Sequence, residues 1–83
     1  LHQNYPNPFN PVTTISYDLP EASDVELSVF DINGRFVEKL VTGRVVSGKH
    51  SAVWDSKDVS SGIYIYRLTT HQEQITRKMV LLK

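Results

Sequence analysis

The stretch DVELSVFDINGRFV, residues 24–37, decides the fold. Its first half alternates polar residues with the apolar residues Val25, Leu27 and Val29, the period of two that is typical of a β-strand with one buried face. Asn33-Gly34 then stands between two apolar runs and predicts a type I′ hairpin turn, because both central residues of that turn take a positive φ. We therefore predict two antiparallel strands joined at this pair.

Two features of this stretch depart from strict alternation. Phe30 places a bulky apolar side chain on the otherwise polar face of the first strand, which indicates that something packs against both faces. The second strand is predicted to begin at Arg35, and its apolar residues between 36 and 41 do not keep a period of two. This irregularity predicts a β-bulge near Glu38 and Lys39.

The period of two recurs on both sides of the hairpin. Ile15, Tyr17 and Leu19 share one face of an earlier strand that Pro20 ends. Four further strands are predicted after the hairpin, at residues 44–47, 50–55, 63–70 and 74–82. The first of them is a short edge strand that crosses between two sheets. About seven short antiparallel strands at this spacing predict an all-β fold, a small β-sandwich of immunoglobulin-like type without the cysteine pair of antibody domains.

Length and charge disfavour several classes of protein. The 83 residues support one small domain with a thin core, and a stability of about 4–12 kcal/mol leaves little margin for a strained active site. Nine basic and nine acidic residues cancel, so no net field favours nucleic acid or an anionic membrane. The absence of cysteine removes disulfide and thiolate chemistry, and the apolar runs are too short to span a bilayer. We expect a non-catalytic monomer with no cofactor, no nucleic-acid partner and no membrane span.

A proline-rich segment precedes the first strand. Residues 4–11 read NYPNPFNP and contain three of the chain's four prolines. These are Pro6, Pro8 and Pro11. Each proline fixes its own φ and biases the preceding residue toward extended backbone, so the segment is predicted to be stiff. Tyr5 and Phe9 are large apolar groups able to clamp it to the following strands. We favour a docked boundary strap over residues 1–12, ahead of a β-sandwich over 13–83, and the alternative is a free interdomain linker.

No candidate catalytic or metal site has the required spacing. Asp31, Asn33 and Gly34 resemble a fragment of a calcium loop, but arginine and threonine stand where further oxygen ligands should follow. Turn formation explains these three residues without a metal. The chain's histidines are too dispersed for a zinc site. They are His2, His50 and His71. No Gly-x-Ser-x-Gly nucleophile motif is present, so we predict no metal ligand and no catalytic residue.

Trp54, Tyr64 and Tyr66 suggest a different function, because aromatic faces on a β-sandwich can stack on sugar rings. In so small a domain a tryptophan contributes more in the core, where it buries about 150–250 Å². Tyr64 and Tyr66 share a strand face with Leu68, which favours a place in the core or an interface. A carbohydrate-binding module and a structural spacer are the alternative functions.

The end of the chain is the second distinctive stretch. It places an apolar run between two lysines: Lys78, Met79, Val80, Leu81, Leu82 and Lys83. As an edge strand it would offer open backbone to another protein by strand addition. The alternative is an ordinary terminal strand whose lysines protect it from aggregation.

Several blocks stand in a familiar order along the chain. They are residues 5–11, Leu19-Pro20, Val29-Phe30-Asp31 with Gly34, Gly48 with His50, Trp54-Asp55, Gly62-Ile63-Tyr64, Tyr66 with Leu68, and residues 78–83. In this order and spacing the chain resembles the type A C-terminal sorting domain of type IX secretion substrates. Its middle part is also similar to the immunoglobulin-like domain of the flagellar hook-capping protein.

The resemblance implies a β-sandwich at the C-terminus of a larger protein exported by a Bacteroidetes-like Gram-negative bacterium. In that family the domain is non-catalytic, is read by outer-membrane secretion machinery, and is often cleaved off as the cargo is attached to the cell surface. By position, residues 78–83 would belong to the recognised region, and Gly34, Gly48 and Gly62 to turns. The hairpin at 71–73 lacks the glycine often found there. Because the chain does not begin with methionine and shows no signal peptide, we expect a cargo domain ahead of it and export through the periplasm to the cell surface.

Overall fold

The computed structural model describes all residues, 1–83. The chain forms six β-strands and no helix. The strands are β1 (Val12–Leu19), β2 (Ser23–Asp31), β3 (Phe36–Val45), β4 (Gly48–Asp55), β5 (Gly62–Thr69) and β6 (Gln74–Leu81). All paired strands are antiparallel, so the all-β prediction is confirmed. Six strands are present instead of about seven. The predicted strand at 44–47 is not separate, because β3 continues to Val45 and the chain crosses to the other sheet before β4 begins.

The strands form two sheets that share one core. β1 pairs with β4, and the other sheet has the order β3-β2-β5-β6. The predicted inward positions of β1 and β2 are confirmed as buried. The core consists of Phe9, Ile15, Tyr17, Leu19, Val25, Leu27, Val29, Trp54, Tyr64, Tyr66, Leu68, Met79 and Leu81. Trp54 of β4 lies edge-on to Tyr64 of β5, with 5.4 Å between the ring centroids, so this pair holds the two sheets together.

The loop between β2 and β3 differs from the predicted type I′ turn. Only glycines have a positive φ, so Asn33 does not adopt the conformation that this turn type requires. The loop has four residues, 32–35, of which Gly34 has a φ of 83°. Asp31 accounts for the difference, because its carboxylate accepts hydrogen bonds from the amides of Asn33 and Arg35, each at 2.9 Å. As a result β3 begins at Phe36 and not at Arg35.

The predicted irregularity of β3 is confirmed. The register between β2 and β3 shifts at two points, so Val37 and Leu40 have no partner on β2. The two β-bulges therefore lie on either side of Glu38 and Lys39. They increase the local twist of this edge strand and disrupt its ladder, which makes it a poor template for another chain.

The proline-rich segment lies against both sheets. Tyr5 forms an antiparallel bridge with Thr14 of β1, and Phe9 forms a parallel bridge with Leu81 of β6. The Phe9 side chain is only 2% exposed and its ring centroid lies 5.7 Å from that of Trp54. The prediction that Tyr5 also clamps the segment is wrong, since Tyr5 is 81% exposed. Cross-strand partners share a face, and Thr14, the partner of Tyr5, lies on the face of β1 that points away from the core. The Tyr5 side chain therefore also points away from the core.

Tyr66 fixes the first residues of this segment to the centre of the molecule. The Asn4 amide donates a hydrogen bond to the phenol oxygen at 2.9 Å, and the phenol donates to the His2 carbonyl at 2.7 Å. The three X–Pro peptide bonds of the segment are cis. The segment is thus ordered by specific contacts, while the division of the chain into a strap over 1–12 and a domain over 13–83 stays a prediction.

Candidate recognition surface at the C-terminal strand

β6 lies at one edge of the four-stranded sheet and pairs along its length with β5. Of the six residues predicted for recognition, Met79 and Leu81 are fully buried in the core. Lys78, Val80 and Leu82 alternate with them and face outward. A partner at this surface therefore meets one lysine and two apolar side chains, while the buried pair fixes the strand in place.

The outer edge of β6 is covered by the strap near the end of the chain. The Val80 carbonyl accepts a hydrogen bond from the Phe9 amide, and the Leu82 amide donates to the Phe9 carbonyl, both at 3.0 Å. The Val80 amide donates to the side-chain oxygen of Asn7 at 3.0 Å. These backbone groups are therefore not free for a partner strand as long as the strap is docked.

The strap runs parallel to β6 from its first residue. Arg77 donates through Nε to the Leu1 carbonyl at 2.7 Å, and the Gln3 side chain donates to the Lys78 carbonyl at 2.8 Å. No backbone hydrogen bond reaches the outer edge of β6 between residues 74 and 77. Strand addition is thus open at the start of β6, and farther along it competes with the strap.

The two lysines that border the apolar run have different surroundings. Lys83 donates through its ammonium group to the Lys57 carbonyl at 2.9 Å and through its amide to the Ser61 hydroxyl at 3.0 Å. These bonds tie the last residue to the loop between β4 and β5. Lys78 is exposed and takes part in none of the chain's ion pairs. Lys78 is therefore the free cation of this surface.

The predicted turn glycines lie at strand boundaries. Gly34 closes the β2–β3 loop, Gly48 is the first residue of β4 and Gly62 is the first residue of β5. The φ of Gly34 lies in the left-handed region that glycine adopts without steric cost. The hairpin at 71–73 is closed without a glycine, because the Thr70 hydroxyl accepts hydrogen bonds from the amides of the last two loop residues, each at 3.2 Å. A role of these turns in recognition stays a prediction.

The candidate ligand residues lie apart from one another. His2 contacts Asp18, His50 contacts a backbone carbonyl, and His71 contacts Ser23. No group of three or more histidine, cysteine or acidic side chains is close enough together to hold a metal ion. The Asp31 carboxylate accepts hydrogen bonds from two backbone amides of its own loop.

The aromatic residues that suggested sugar binding are part of the core. Trp54, Tyr64 and Tyr66 are all buried, and the Trp54 indole nitrogen donates a hydrogen bond to the Glu38 carboxylate at 3.1 Å. A stacking platform built from these three rings would have no exposed face. These three residues therefore do not support a carbohydrate-binding module.

Sequence reasoning missed the polar strap residues that hold β6. Asn7 and Gln3 were not predicted to have a role, yet their side chains bond to β6 across 73 and 75 residues of sequence. The repeated Asn-Pro pairs were the only signal in this region. A local pattern does not show which distant strand an amide side chain reaches, so these contacts appear only in the folded chain.

Comparison with known proteins identifies one family. No helix of the structure has the length and apolar character needed to cross a membrane. No curated protein and no solved structure matches the chain. The sequence model of one family, described as the secretion system C-terminal sorting domain, matches residues 3–82 and so includes both the strap and β6. The chain therefore belongs to this family and is a C-terminal sorting signal for type IX secretion.

Proposed function

We propose that this domain delivers a cargo fused ahead of Leu1 to the outer membrane, where the secretion and surface-attachment machinery recognises the outward side of β6. The proposal rests on the alternation of buried and outward-facing residues along the C-terminal stretch. Met79 and Leu81 anchor the strand in the core, so Lys78 and its outward neighbours are presented in a fixed orientation. A rigid surface of this kind loses little conformational entropy when a receptor binds.

The position of the first residue supports the same function. Leu1 lies beside β6, because its carbonyl accepts the hydrogen bond from Arg77. A cargo joined at this point would emerge next to the recognised strand. The same machinery then has access to both the sorting surface and the junction at which the cargo is separated and attached.

The charge of this surface indicates which chemical groups the receptor presents to it. The Lys78 ammonium group has no carboxylate partner in the chain, so acidic groups on a receptor can pair with it without displacing an existing ion pair. The domain acts as a non-catalytic monomer with an immunoglobulin-like sandwich, and it travels through the periplasm to the cell surface with its cargo.

The test is a reporter with an export signal peptide, fused ahead of residues 1–83 and expressed in a type IX-competent host. The parent fusion should reach the cell surface, whereas the double variant Lys78→Ala with Lys83→Ala should stay in the periplasm. Both lysines are exposed, so the variant should keep its stability within about 0.5 kcal/mol. The matched control is Arg44→Ala with Lys49→Ala, which removes two exposed cations outside this surface and should be exported normally.

A melting curve of each isolated domain separates recognition from folding. The proposal predicts a folded but retained variant. Normal export of a folded Lys78→Ala, Lys83→Ala variant would show that the lysines have no part in sorting. Retention of the parent fusion itself would contradict the proposed function as a whole.

A further inference from the structure

The outer face of the four-stranded sheet is apolar at the end where β6 finishes. One cross-strand row runs from Phe36 through Phe30 and Ile65 to Lys78. The next row pairs Ile63 with Val80. We call the apolar part of these rows, extended by the last leucine, the outer apolar face. It consists of Phe30, Phe36, Ile63, Ile65, Val80 and Leu82.

The other half of the same sheet face is polar. The row at that end contains Thr42, Glu26, Thr69 and Gln74. A sheet with one face on the core normally presents polar side chains on the other, and half of this sheet follows that rule. The outer apolar face is therefore a local departure and not a general property of the sheet.

The outer apolar face is only partly covered by the chain: Phe30, Ile65 and Val80 are half-buried, and the other three members are exposed. Phe36 is 59% exposed and Leu82 is 56% exposed. The Phe36 ring packs edge-on against Phe30, with 6.1 Å between the centroids. The two rings thus support each other on the surface, where they are in position for contact with another molecule.

Two cations border this face, and both lack a carboxylate partner. The Arg67 guanidinium lies 4.5 Å from the centroid of the Phe30 ring, and Lys78 is the neighbour of Ile65 in the next strand. Neither residue takes part in an ion pair. The Arg67 Nε atom is shielded from solvent and has no hydrogen-bond partner within the chain. An acidic group of a partner would therefore meet the exposed part of the Arg67 side chain and the exposed Lys78, and not the Nε atom.

The charges indicate what kind of molecule fits. The nearby carboxylates, Asp31 and Glu26, already pair with Arg35 and Lys39 of the same chain. A two-fold contact of the face with a second copy would therefore add the unpaired Arg67 and Lys78 of both copies to one interface, an arrangement that like-charge repulsion disfavours. An anionic membrane is disfavoured because the chain has no net charge to attract it. A protein surface with an apolar centre and carboxylates at its border satisfies both features.

We propose that the outer apolar face is a second recognition surface, bound by the same outer-membrane receptor that reads β6, through an apolar patch bordered by carboxylates. The two surfaces are continuous, since Val80 and Leu82 belong to both. This inference rests on the proposed function. It extends the recognised region from the end of the chain to β2, β3 and β5.

The decisive variant is Phe36→Ser, which alters the face three strands away from β6. In the reporter fusion we expect the surface-exposed fraction to fall about tenfold, the loss typical of removing an aromatic anchor from an interface. Phe36→Leu keeps the apolar contact and should keep most of the export. The matched control is Val53→Ser, which removes a 63% exposed apolar side chain from the two-stranded sheet and should be exported like the parent. Melting curves of residues 1–83 accompany each variant, and Ile63→Thr replaces Phe36→Ser if the latter is unfolded.

The outcomes are distinguishable. Normal export of folded Phe36→Ser, with retention of the Lys78→Ala, Lys83→Ala variant, would overturn the second surface and leave the proposed function standing. Retention of the parent fusion would overturn the proposed function. Sedimentation velocity on residues 1–83 tests for a second copy, and flotation with phosphatidylglycerol vesicles tests for a membrane. Association in either assay that Phe36→Ser abolishes would assign the face to that other occupant.

Discussion

Replacing Phe9 with alanine tests whether the strap is part of the folded domain. The Phe9 ring is buried against Trp54, while the backbone on either side bonds to the edge of β6. Truncation removes the ring and leaves these hydrogen bonds chemically intact. The variant therefore asks how much of the attachment depends on one side chain.

The expected loss is large relative to the whole. Truncating a buried phenylalanine to alanine costs about 3–5 kcal/mol, and a chain of this length has a total stability of about 4–12 kcal/mol. Tyr5→Ala is the matched control, because it removes an aromatic ring from the same segment at an exposed position. That change should stay within about 0.5 kcal/mol.

The assay is a urea titration followed by the fluorescence of the single tryptophan, Trp54, which lies next to Phe9. Hydrogen exchange at the Val80 and Leu82 amides adds a local readout, because both amides donate to the strap. In Phe9→Ala these two amides should exchange faster than in the parent. If Phe9→Ala is no less stable than Tyr5→Ala and both amides keep their protection, the ring does not attach the strap and the reasoning is refuted.

Two further predictions concern single polar groups. Tyr66→Phe removes the phenol oxygen that bonds to Asn4 and His2 and should cost about 1–3 kcal/mol in a urea titration; an unchanged midpoint would contradict this. The hydrogen bond from the Arg35 amide, together with that from the Asn33 amide, holds the pKa of Asp31 below its ordinary value. A lowered pKa stabilises the fold above the pH at which the unfolded carboxylate titrates, near about 4, and this contribution is lost as the pH falls through the folded value. Asp31→Ala should therefore weaken the fall of stability below about pH 4, and an acid limb as steep as that of the parent would show that the loop bonds do not couple to folding.

The strands were predictable because their signal is local. Alternation at Ile15, Tyr17 and Leu19 reports which side of a strand is buried without reference to its partners. The turn at Asn33 was mispredicted because Asp31 contributes a side-chain acceptor that lengthens the loop. Local sequence assigned Asp31 to the turn together with Asn33 and Gly34, but it did not show that the Asp31 carboxylate would change the turn type and the loop length.

The surfaces that depend on strand pairing were harder to predict. Phe36 and Ile65 share a row only through Phe30 on the strand between them, so no window of sequence contains the outer apolar face. Tyr5 and Phe9 are both aromatic residues next to a proline in the same segment, so the sequence does not distinguish them. Tyr5 is exposed because it pairs with Thr14, whose side chain points away from the core. The candidate residues at the end of the chain were found as a stretch, but which of them face outward follows from the pairing with β5.

The parallel course of the strap and β6 has a mechanical consequence. Leu1 lies beside Arg77, and Phe9 lies beside Leu81 farther along the same direction. A pull on the cargo at one terminus, with the receptor holding the other, would drag the two segments past each other in opposite directions. The hydrogen bonds between them are then loaded together in shear, whereas the bonds of a hairpin pulled at its open end would break one after another. Resistance to such a pull depends on the rate of unfolding and not on equilibrium stability, so we expect this parallel pairing to contribute more to the resistance than the size of the core does.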